Sequence, residues 1–520
     1  MTVDTPGWVR DAVFYQIFPD RFASSQRVPK PGALEDWDAP PTHHGFKGGD
    51  LLGIVEHLDY LQDLGISAIY MTPIFQSASN HRYHTYDYFT VDPLLGGNDA
   101  LRELLDRAHD RAMRVILDGV FNHTGRGFWP FHHVLETGAG SPYRHWFHFD
   151  QAGLDADRPI DAYPGAHARS GVGIDKPHPG QVEGGGVDSR DRLGFAAWWD
   201  IPALPKLNVG EPAVREYLWS VAEHWLRFGI DGWRLDVPGE IDDREFWAEF
   251  RRRCRAVNPE AYLVGEIWDV APDWVSGDRF DALMNYPLAE AIIGFVAGGS
   301  LDEPLLRSHH EYSKTVRLDG AAFGARVGDL LRAYAPETSA SQLNLLDSHD
   351  TPRLGSLLRG DREGISLAML LQATLPGAPC IYYGDEVGVV GTLDPDSRRA
   401  FPWDEAAWDH ELLDTVRAVF AARRNHPALR SDAYEVIATN GPALAFRRGT
   451  GADALFVIAN AGDAAAELAL PDGPGSGIAA SLAVVAATGP ARSEPPTIIA
   501  VDGRSAVRLA PRSGGIVRLA

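Results

Sequence analysis

Short apolar runs alternate with amphipathic helical patterns from residue 12 to about residue 120 and again from residue 212, and this alternation restricts the fold more than any other feature of the chain. Near-continuous apolar runs such as Val115–Leu117 indicate strands that are buried on both faces. Apolar residues at helical spacing (Leu51, Val55, Leu58 and Leu61) predict a helix over Asp50–Leu64 that ends at Gly65, and Asn98 is predicted to cap the next helix. Repeated strand–helix units of this kind predict a parallel sheet.

The number of predicted strands distinguishes between the two common parallel folds. The predicted strands span residues 12–18, 66–71, 114–120, 230–236, 261–266, 281–285, 342–346 and 378–383. Eight strands favour a (β/α)8 barrel over an open, doubly wound sheet. No GxGxxG fingerprint follows the first strand, which weakens the dinucleotide-binding alternative further.

Two changes of pattern predict the domain organisation. Between about residues 122 and 195 the alternation gives way to a stretch rich in Gly, His, Pro and Asp, including Gly184–Gly186, and so long a stretch inside a domain is usually functional. Short β runs follow residue 433. We therefore predict an α/β protein with a (β/α)8 barrel over residues 1–121 and 196–432, an inserted domain B over 122–195 and a C-terminal β-sandwich over 433–520.

The charge and the cysteine content exclude several classes of protein. The chain carries 48 basic and 71 acidic residues, a formal net charge of −23, which disfavours nucleic acid and anionic membranes as partners. The sequence shows neither a signal-peptide pattern nor an apolar run of about 18 residues, so we expect a cytoplasmic protein. Cys254 and Cys380 are far apart in the sequence and predict buried, unreactive thiols rather than a disulfide framework.

Acidic and imidazole side chains follow four of the predicted strands. They lie in the segments Asp118–His123 (DGVFNH), Gly232–Asp236 (GWRLD), Gly265–Trp268 (GEIW) and Ser348–Asp350 (SHD). Any one of these groups alone would be interpreted as a solvated carboxylate or a satisfied buried histidine. In barrel enzymes, however, catalytic side chains lie at the C-terminal ends of the strands. Four such segments at equivalent places therefore predict a catalytic site.

The spacing of these residues predicts an acid–nucleophile pair. Arg234 and Asp236 are two residues apart on one strand, so their side chains point to the same side, and the guanidinium is expected to hold the pKa of Asp236 low. Glu266 ends an apolar run on the next strand, where desolvation is expected to raise its pKa. One ionised carboxylate and one protonated carboxyl group on either side of a bond are the arrangement used in glycoside hydrolysis.

The four segments resemble, in order and position, the four short regions of the α-amylase superfamily (glycoside hydrolase family 13). The resemblance extends from Tyr15–Phe22 (YQIFPDRF) to Ile381–Glu386 (IYYGDE). The segments Leu204–Asn208 (LPKLN) and Asp394–Arg398 (DPDSR) are similar to the cyclomaltodextrinase, neopullulanase and maltogenic amylase branch. That branch usually carries a further β domain of about a hundred residues before the barrel, whereas the barrel predicted here begins at about residue 11.

The resemblance implies a catalytic trio and a set of sugar-binding residues. Asp236 would be the nucleophile, Glu266 the general acid/base and Asp350 the transition-state stabiliser. The substrate-binding residues implied are Tyr83, His123, Arg234 and His349 around the −1 sugar, Asp394 and Arg398 on the next sugar, and Lys206 and Glu240 on the acceptor side. Asp118 corresponds to a structural position that supports Arg234.

Alternative interpretations exist for several of these residues. Taken alone, His123 and Tyr83 fit a protein core, and Lys206 fits a surface charge. The adjacent Trp198 and Trp199 are interpreted as aromatics of a core or a domain seam and are left outside the predicted site.

Two stretches of sequence bear on metal binding and on bond preference. No metal-ligand spacing such as HExxH is present. The loop after the first strand, Ala23–Arg27, presents a cation where relatives often hold calcium, so we expect no metal there. Pro238-Gly239 after the nucleophile is unusual for the family and leaves the preference for α-1,4 or α-1,6 bonds open.

These observations predict a retaining α-glucan hydrolase. Its expected substrates are short or cyclic maltooligosaccharides, such as cyclodextrins or cyclic maltosyl-maltose, and no cofactor is expected. The chain is expected to be a monomer or a weak homodimer. Two alternatives are an α-glucan transglycosylase with the same catalytic residues and a non-catalytic sugar-binding barrel, which would be expected to lose one of the three carboxylates.

Overall fold

Eight parallel strands form the centre of the structure, a computed structural model that describes residues 4–164, 189–469, 482–492, 494–501 and 504–519. Gly184–Gly186 and part of the predicted domain B lie outside the described residues.

The secondary structure alternates as the sequence predicts. The strands are β1 (Phe14–Ile17), β2 (Ala68–Met71), β3 (Phe75–Ser77), β4 (Thr85–Val91), β5 (Arg114–Gly119), β6 (Gly232–Leu235), β7 (Tyr262–Gly265), β8 (Ala282–Leu283), β9 (Leu343–Asn344), β10 (Ala378–Tyr382), β11 (Tyr434–Asn440), β12 (Ala443–Arg448), β13 (Leu455–Asn460), β14 (Ala466–Ala469), β15 (Leu482–Thr488), β16 (Thr497–Val501), β17 (Arg504–Leu509) and β18 (Ser513–Leu519). The α-helices are α1 (Pro19–Phe22), α2 (Leu51–Glu56), α3 (Leu58–Leu64), α4 (Gly97–His109), α5 (Trp129–Thr137), α6 (Gln151–Asp155), α7 (Ser189–Leu193), α8 (Pro212–Phe228), α9 (Arg244–Val257), α10 (Tyr286–Val296), α11 (Glu303–Ser308), α12 (Gly320–Arg332), α13 (Pro336–Ser341), α14 (Leu354–Leu357), α15 (Arg362–Thr374) and α16 (His410–Asn425).

The eight central strands close into a barrel. They are paired in the order β8-β7-β6-β5-β2-β1-β10-β9. The two ends of this sheet meet where Met284 forms a parallel bridge with Leu343 and where the N–H of Asn285 donates to the carbonyl of Leu343 at 2.8 Å. The predicted (β/α)8 fold is confirmed, and its buried strands explain the near-continuous apolar runs in the sequence.

Two helix predictions are wrong in detail. The helix predicted over Asp50–Leu64 is divided at His57, whose backbone is non-helical and whose Nδ1 hydrogen-bonds to the carbonyl of Gly53 at 2.8 Å. The imidazole packs against the Trp403 ring, with centroids 3.7 Å apart, so a tertiary contact outweighs the local helical pattern. Asn98 lies inside α4 and bonds backward to the strand before it, accepting from the N–H of Val91 at 2.8 Å.

The C-terminal part of the chain forms antiparallel sheets. One sheet has the order β11-β12-β13-β18-β15 and the other β14-β17-β16. Alternate side chains of β12 and β13 pack with residues of the second sheet in an apolar cluster that includes Ala443, Ile458 and Val507. The prediction of a C-terminal antiparallel β domain is confirmed, as is the burial of both cysteines.

The segments that follow the strands at the C-terminal end of the barrel position the candidate site. The β3–β4 hairpin follows β2 and carries Tyr83 in its turn. The long segment after β5 returns to the barrel through an antiparallel bridge between His123 and Lys206. None of the helices in the described ranges has the length and apolarity needed to span a membrane.

Candidate active site

One guanidinium, that of Arg234, holds three carboxyl groups together. Arg234 is fully buried on β6, and β5 pairs with β6 so that Asp118 is its direct neighbour across the strands. Its Nη1 donates to both Asp118 oxygens, at 2.9 and 3.0 Å, and to Asp236 Oδ1 at 2.9 Å. Its Nη2 lies 3.0 Å from Glu266 Oε1, an ion pair without hydrogen-bond alignment. A single cation therefore fixes the separation of Asp236 and Glu266.

The two oxygens of Asp236 have different environments in this cluster. Asp236 Oδ2 is buried and has no hydrogen-bond partner in the described structure, whereas Oδ1 is held by Arg234. A buried carboxylate oxygen without a partner is costly unless a substrate meets it. One oxygen of Asp236 is thus positioned by the protein and the other is available to a reacting atom.

The pKa of Asp236 departs from the sequence prediction. Burial raises it well above the ordinary value, Arg234 lowers it, and Glu266, Asp118 and Asp350 raise it further. The expectation that Arg234 holds this pKa low is therefore wrong for the site without substrate. The physical reason is that one guanidinium faces four carboxyl groups in a desolvated pocket, so its charge does not compensate all of them.

The pKa of Glu266 agrees with the sequence prediction. Burial raises it to about 7, against the opposing charge of Arg234. Its Oε2 accepts a hydrogen bond of 2.9 Å from the backbone N–H of Val237. Val237 has a left-handed backbone with φ of 34°, which is unfavourable for a β-branched residue. Glu266 therefore has a contact at each oxygen. With a pKa of about 7, its carboxyl group can both donate and accept a proton near neutral pH.

A chain of hydrogen bonds joins His349 to Asp118 through Tyr83. Gln16 Nε2 donates to His349 Nδ1 at 2.9 Å, so His349 Nε2 carries the proton and donates to the Tyr83 hydroxyl at 2.6 Å. The Tyr83 hydroxyl in turn donates to Asp118 Oδ2 at 2.9 Å. The Tyr83 and His349 rings are stacked, with centroids 5.4 Å apart. Burial lowers the pKa of His349 to about 3, so the imidazole is neutral near pH 7.

Asp350 lies between His349 and Arg398. Its Oδ2 is 3.1 Å from His349 Nε2, and its Oδ1 accepts from Arg398 Nη2 at 3.2 Å. Burial acts to raise the pKa of Asp350, but His349 and Arg398 lower it on balance. Arg398 Nη1 also pairs with Asp394 Oδ1 at 3.1 Å. Asp350 is therefore the carboxylate of this pocket most strongly biased toward ionisation.

His123 presents an unpartnered nitrogen. The residue is fully buried, and in the described structure its Nε2 has no hydrogen-bond partner. Its ring stacks on the Trp198 ring with centroids 4.7 Å apart and an interplanar angle of 7°. Burial lowers the pKa of His123 to about 3, so a neutral imidazole is available to a hydroxyl group. Trp198, which the sequence interpretation excluded, is therefore in contact with a predicted site residue.

Lys206 and Glu240 pair at the rim of the site. Lys206 Nζ donates to Glu240 Oε2 at 2.9 Å, and the side chains are 28% and 40% exposed. Lys206 is linked to the buried part of the site by its backbone bridge to His123. Lys206 lies in the long segment after β5 and Glu240 in the segment after β6, so the two side chains meet from different loops.

Sequence reasoning missed several supporting residues. Gln16 sets the tautomer of His349, Tyr70 donates to Asp118 Oδ2 at 2.9 Å, and Val237 holds Glu266 through its backbone. Gln16 and Tyr70 are polar residues inside apolar strands, which is a usable signal. The contribution of Val237 depends on a backbone conformation that its sequence does not reveal.

No metal ligand set is evident in the described parts of the chain. No three side chains of His, Cys, Asp or Glu converge there as they would around a metal ion. In the loop after β1, Arg27 pairs with Glu103 at 2.7 Å. Nearby, Lys30 Nζ donates to Asp50 Oδ2 at 3.0 Å and to the carbonyl of Leu94 at 2.6 Å.

Comparison with known proteins identifies the family. The family model described as alpha amylase, catalytic domain, matches residues 16–431. The chain belongs to the alpha-amylase family. It is 40% identical to a cyclomaltodextrinase of Geobacillus thermopakistaniensis over 90% of this chain and 71% of that protein. It is 35% identical to an intracellular maltogenic amylase of Bacillus subtilis over 83% of this chain and 65% of that protein. The protein is a glycoside hydrolase.

Two solved structures are similar to this chain over nearly its full length. A debranching enzyme of Nostoc punctiforme is similar with a TM-score of 0.83 and 43% identity, and the match covers 100% of both chains. A cyclic α-maltosyl-(1→6)-maltose hydrolase of Arthrobacter globiformis is similar with a TM-score of 0.81 and 32% identity, covering 99% of this chain and 100% of that one.

Proposed function

We propose that this glycoside hydrolase cleaves α-glucosidic bonds in short or cyclic maltooligosaccharides by a double-displacement mechanism that retains the anomeric configuration. The observation that carries the mechanism is the pairing of Asp236 and Glu266 on one guanidinium, with Asp236 Oδ2 buried and without a partner. Retaining enzymes need two carboxyl groups about 5 Å apart, and two groups held by the same guanidinium suit that short distance.

The proposed first step transfers a glycosyl group to the protein. In its ionised form Asp236 attacks the anomeric carbon through Oδ2 while Glu266 gives its proton to the glycosidic oxygen, so that the glycosidic bond breaks and the leaving sugar departs with a hydroxyl group. In the second step Glu266 takes a proton from water, which displaces Asp236 from the anomeric carbon. Asp350, held ionised by its neighbours, stabilises the positive charge that develops on the sugar ring.

The remaining predicted residues supply the binding contacts in this proposal. His123 and His349 are neutral imidazoles that bind sugar hydroxyls at the cleavage site, and the ring of Tyr83 packs against that sugar. Asp394 and Arg398 lie on the next sugar; Lys206 and Glu240 lie on the acceptor side. Their charges are paired with one another, which suits a neutral ligand.

The substrate class is supported by the relatives. The cyclomaltodextrinase and the cyclic maltosyl-maltose hydrolase are named for cyclic α-glucans, and the Nostoc protein is named for debranching. We propose cyclic maltooligosaccharides and their linear counterparts as substrates of this chain. We also propose a cytoplasmic location, which the intracellular relative of Bacillus subtilis supports, and activity without bound calcium as a monomer or a weak homodimer.

The test combines substrate profiling with a nucleophile variant. Linear, branched and cyclic α-glucans are incubated with the protein, and the products are separated by chromatography. We expect hydrolysis of short or cyclic maltooligosaccharides, with the α-anomer appearing first by NMR. Asp236→Asn is expected to abolish turnover and to leave the protein folded, with a cooperative thermal transition and a wild-type circular dichroism spectrum. Retained activity in that variant, or a β-anomer as first product, contradicts the mechanism, and longer products at high substrate concentration would indicate a transglycosylase.

A further inference from the structure

A column of three stacked aromatic rings runs from the candidate active site to the surface. His123 stacks on Trp198, and Trp198 stacks on Trp199 with ring centroids 4.5 Å apart and an interplanar angle of 20°. His123 is fully buried, whereas Trp199 is 56% exposed. The outermost indole therefore presents apolar surface to solvent, at the outer end of a column whose inner end carries the unpartnered His123 Nε2.

The backbone holds Trp199 in this exposed position at a cost. Trp199 and Asp200 both have left-handed backbones, with φ of 51° and 56°. Such a conformation is sterically unfavourable for a bulky residue such as tryptophan, whereas aspartate tolerates it better. Residues held this way tend to cluster at functional sites, because the surrounding structure must maintain them.

The loop around Trp199 is anchored firmly enough to maintain that geometry. The N–H of Trp198 donates to the carbonyl of Leu204 at 2.9 Å, and Ala197 forms an antiparallel bridge with Pro205. Lys206, the next residue along this loop, pairs with Glu240 at the rim of the site. The exposed indole and Lys206 therefore belong to one short loop at the edge of the pocket, and Glu240 meets that loop from the segment after β6.

We propose that Trp199 is a sugar-stacking residue that binds a glucosyl unit of an α-glucan beyond the bond being cleaved, on the side of the pocket that carries Lys206. The proposal rests on the proposed function for the substrate class. The C–H face of a pyranose ring is apolar and flat enough to pack on an indole, and such a contact needs no charge. An exposed tryptophan at a pocket edge then contributes affinity only to substrates long enough to reach it.

The chain offers a matched control for this contact. Trp129 on α5 is also exposed, at 61%, but it packs edge-on against His133 and has no stacked contact with a predicted site residue. Trp129→Ala removes a comparable exposed indole from the same segment of the chain. Trp199→Phe keeps an aromatic face and serves as the conservative variant.

The first test compares substrates of increasing length. For Trp199→Ala we expect KM for maltoheptaose to rise about three- to tenfold, in line with the usual strength of an aromatic contact, with maltotriose changed less than about twofold. Trp199→Phe should recover most of the loss, and Trp129→Ala should match the wild type. An equal loss for both substrates, no loss for either, or the same loss in Trp129→Ala overturns the proposal.

A second measurement separates this proposal from the proposed function. Binding of maltoheptaose and maltotriose is measured by calorimetry in the Asp236→Asn protein, with and without Trp199→Ala. If the double variant binds maltoheptaose more weakly than Asp236→Asn does, and binds maltotriose equally well, the stacking site is supported even if the wild type hydrolyses neither sugar. Equal binding by the two proteins overturns the stacking site even if the wild type is an active hydrolase.

Discussion

Replacing Asp118 with asparagine tests how the buried charges of the site are balanced. Asp118 is fully buried and accepts hydrogen bonds from Arg234, Tyr70 and Tyr83. Removing one partner of a buried ion pair costs about 3–5 kcal/mol in free energy of unfolding. Arg234 keeps contacts with Asp236 and Glu266, so we expect a loss near the lower end, about 3 kcal/mol.

The same substitution is expected to change the pH dependence of activity. The negative charge of Asp118 helps to raise the pKa of both Asp236 and Glu266. Without that charge both pKa values fall, so both limbs of the profile of kcat/KM against pH move to lower pH. The measurements are urea unfolding followed by tryptophan fluorescence, and initial rates of sugar release between about pH 4 and pH 9.

Two variants serve as controls for Asp118→Asn. Tyr70→Phe removes one donor to Asp118 and keeps the charge, so it should cost about 1 kcal/mol and leave the pH profile in place. Asp59→Asn removes a carboxylate that is 82% exposed and paired with Arg111, and its unfolding midpoint should match the wild type. If Asp118→Asn unfolds within about 1 kcal/mol of the wild type and keeps its pH profile, the charge of Asp118 neither stabilises Arg234 nor raises the pKa values of Asp236 and Glu266.

Three further predictions follow from the site. Activity should fall as pH rises through about 7, because Glu266 there loses the proton that it must donate. Burial also raises the pKa of Glu290 to about 7, but Glu290→Gln should show the same loss of activity at alkaline pH as the wild type. Lys206→Ala should raise KM while changing the free energy of unfolding by less than about 1 kcal/mol, because the Lys206–Glu240 pair is partly exposed; an unchanged KM would remove Lys206 from the binding site. A chelator should leave the melting temperature of the protein unchanged, and a sharp drop would reveal a structural metal.

Much of the barrel could be predicted because its signals are local. The apolar run of a strand and the glycine after a helix are each visible within a few residues of sequence. Gly229, for example, ends α8 with φ of 118°. The helix over Asp50–Leu64 could not be predicted correctly. Its interruption at His57 depends on Trp403, which lies hundreds of residues away in the chain and meets His57 only in the folded protein.

By itself the sequence determined the barrel and the C-terminal β domain and predicted the candidate catalytic side chains, because strand ends and residue types are properties of short segments. Only the tertiary structure decided the protonation preferences of those side chains. One guanidinium at Arg234 faces four buried carboxyl groups, so burial outweighs its charge and raises the pKa of Asp236, which spacing alone predicts to be low. The tertiary structure also placed Trp198 on His123 and left Trp199 exposed, since ring contacts depend on how the loop after β5 returns to the barrel.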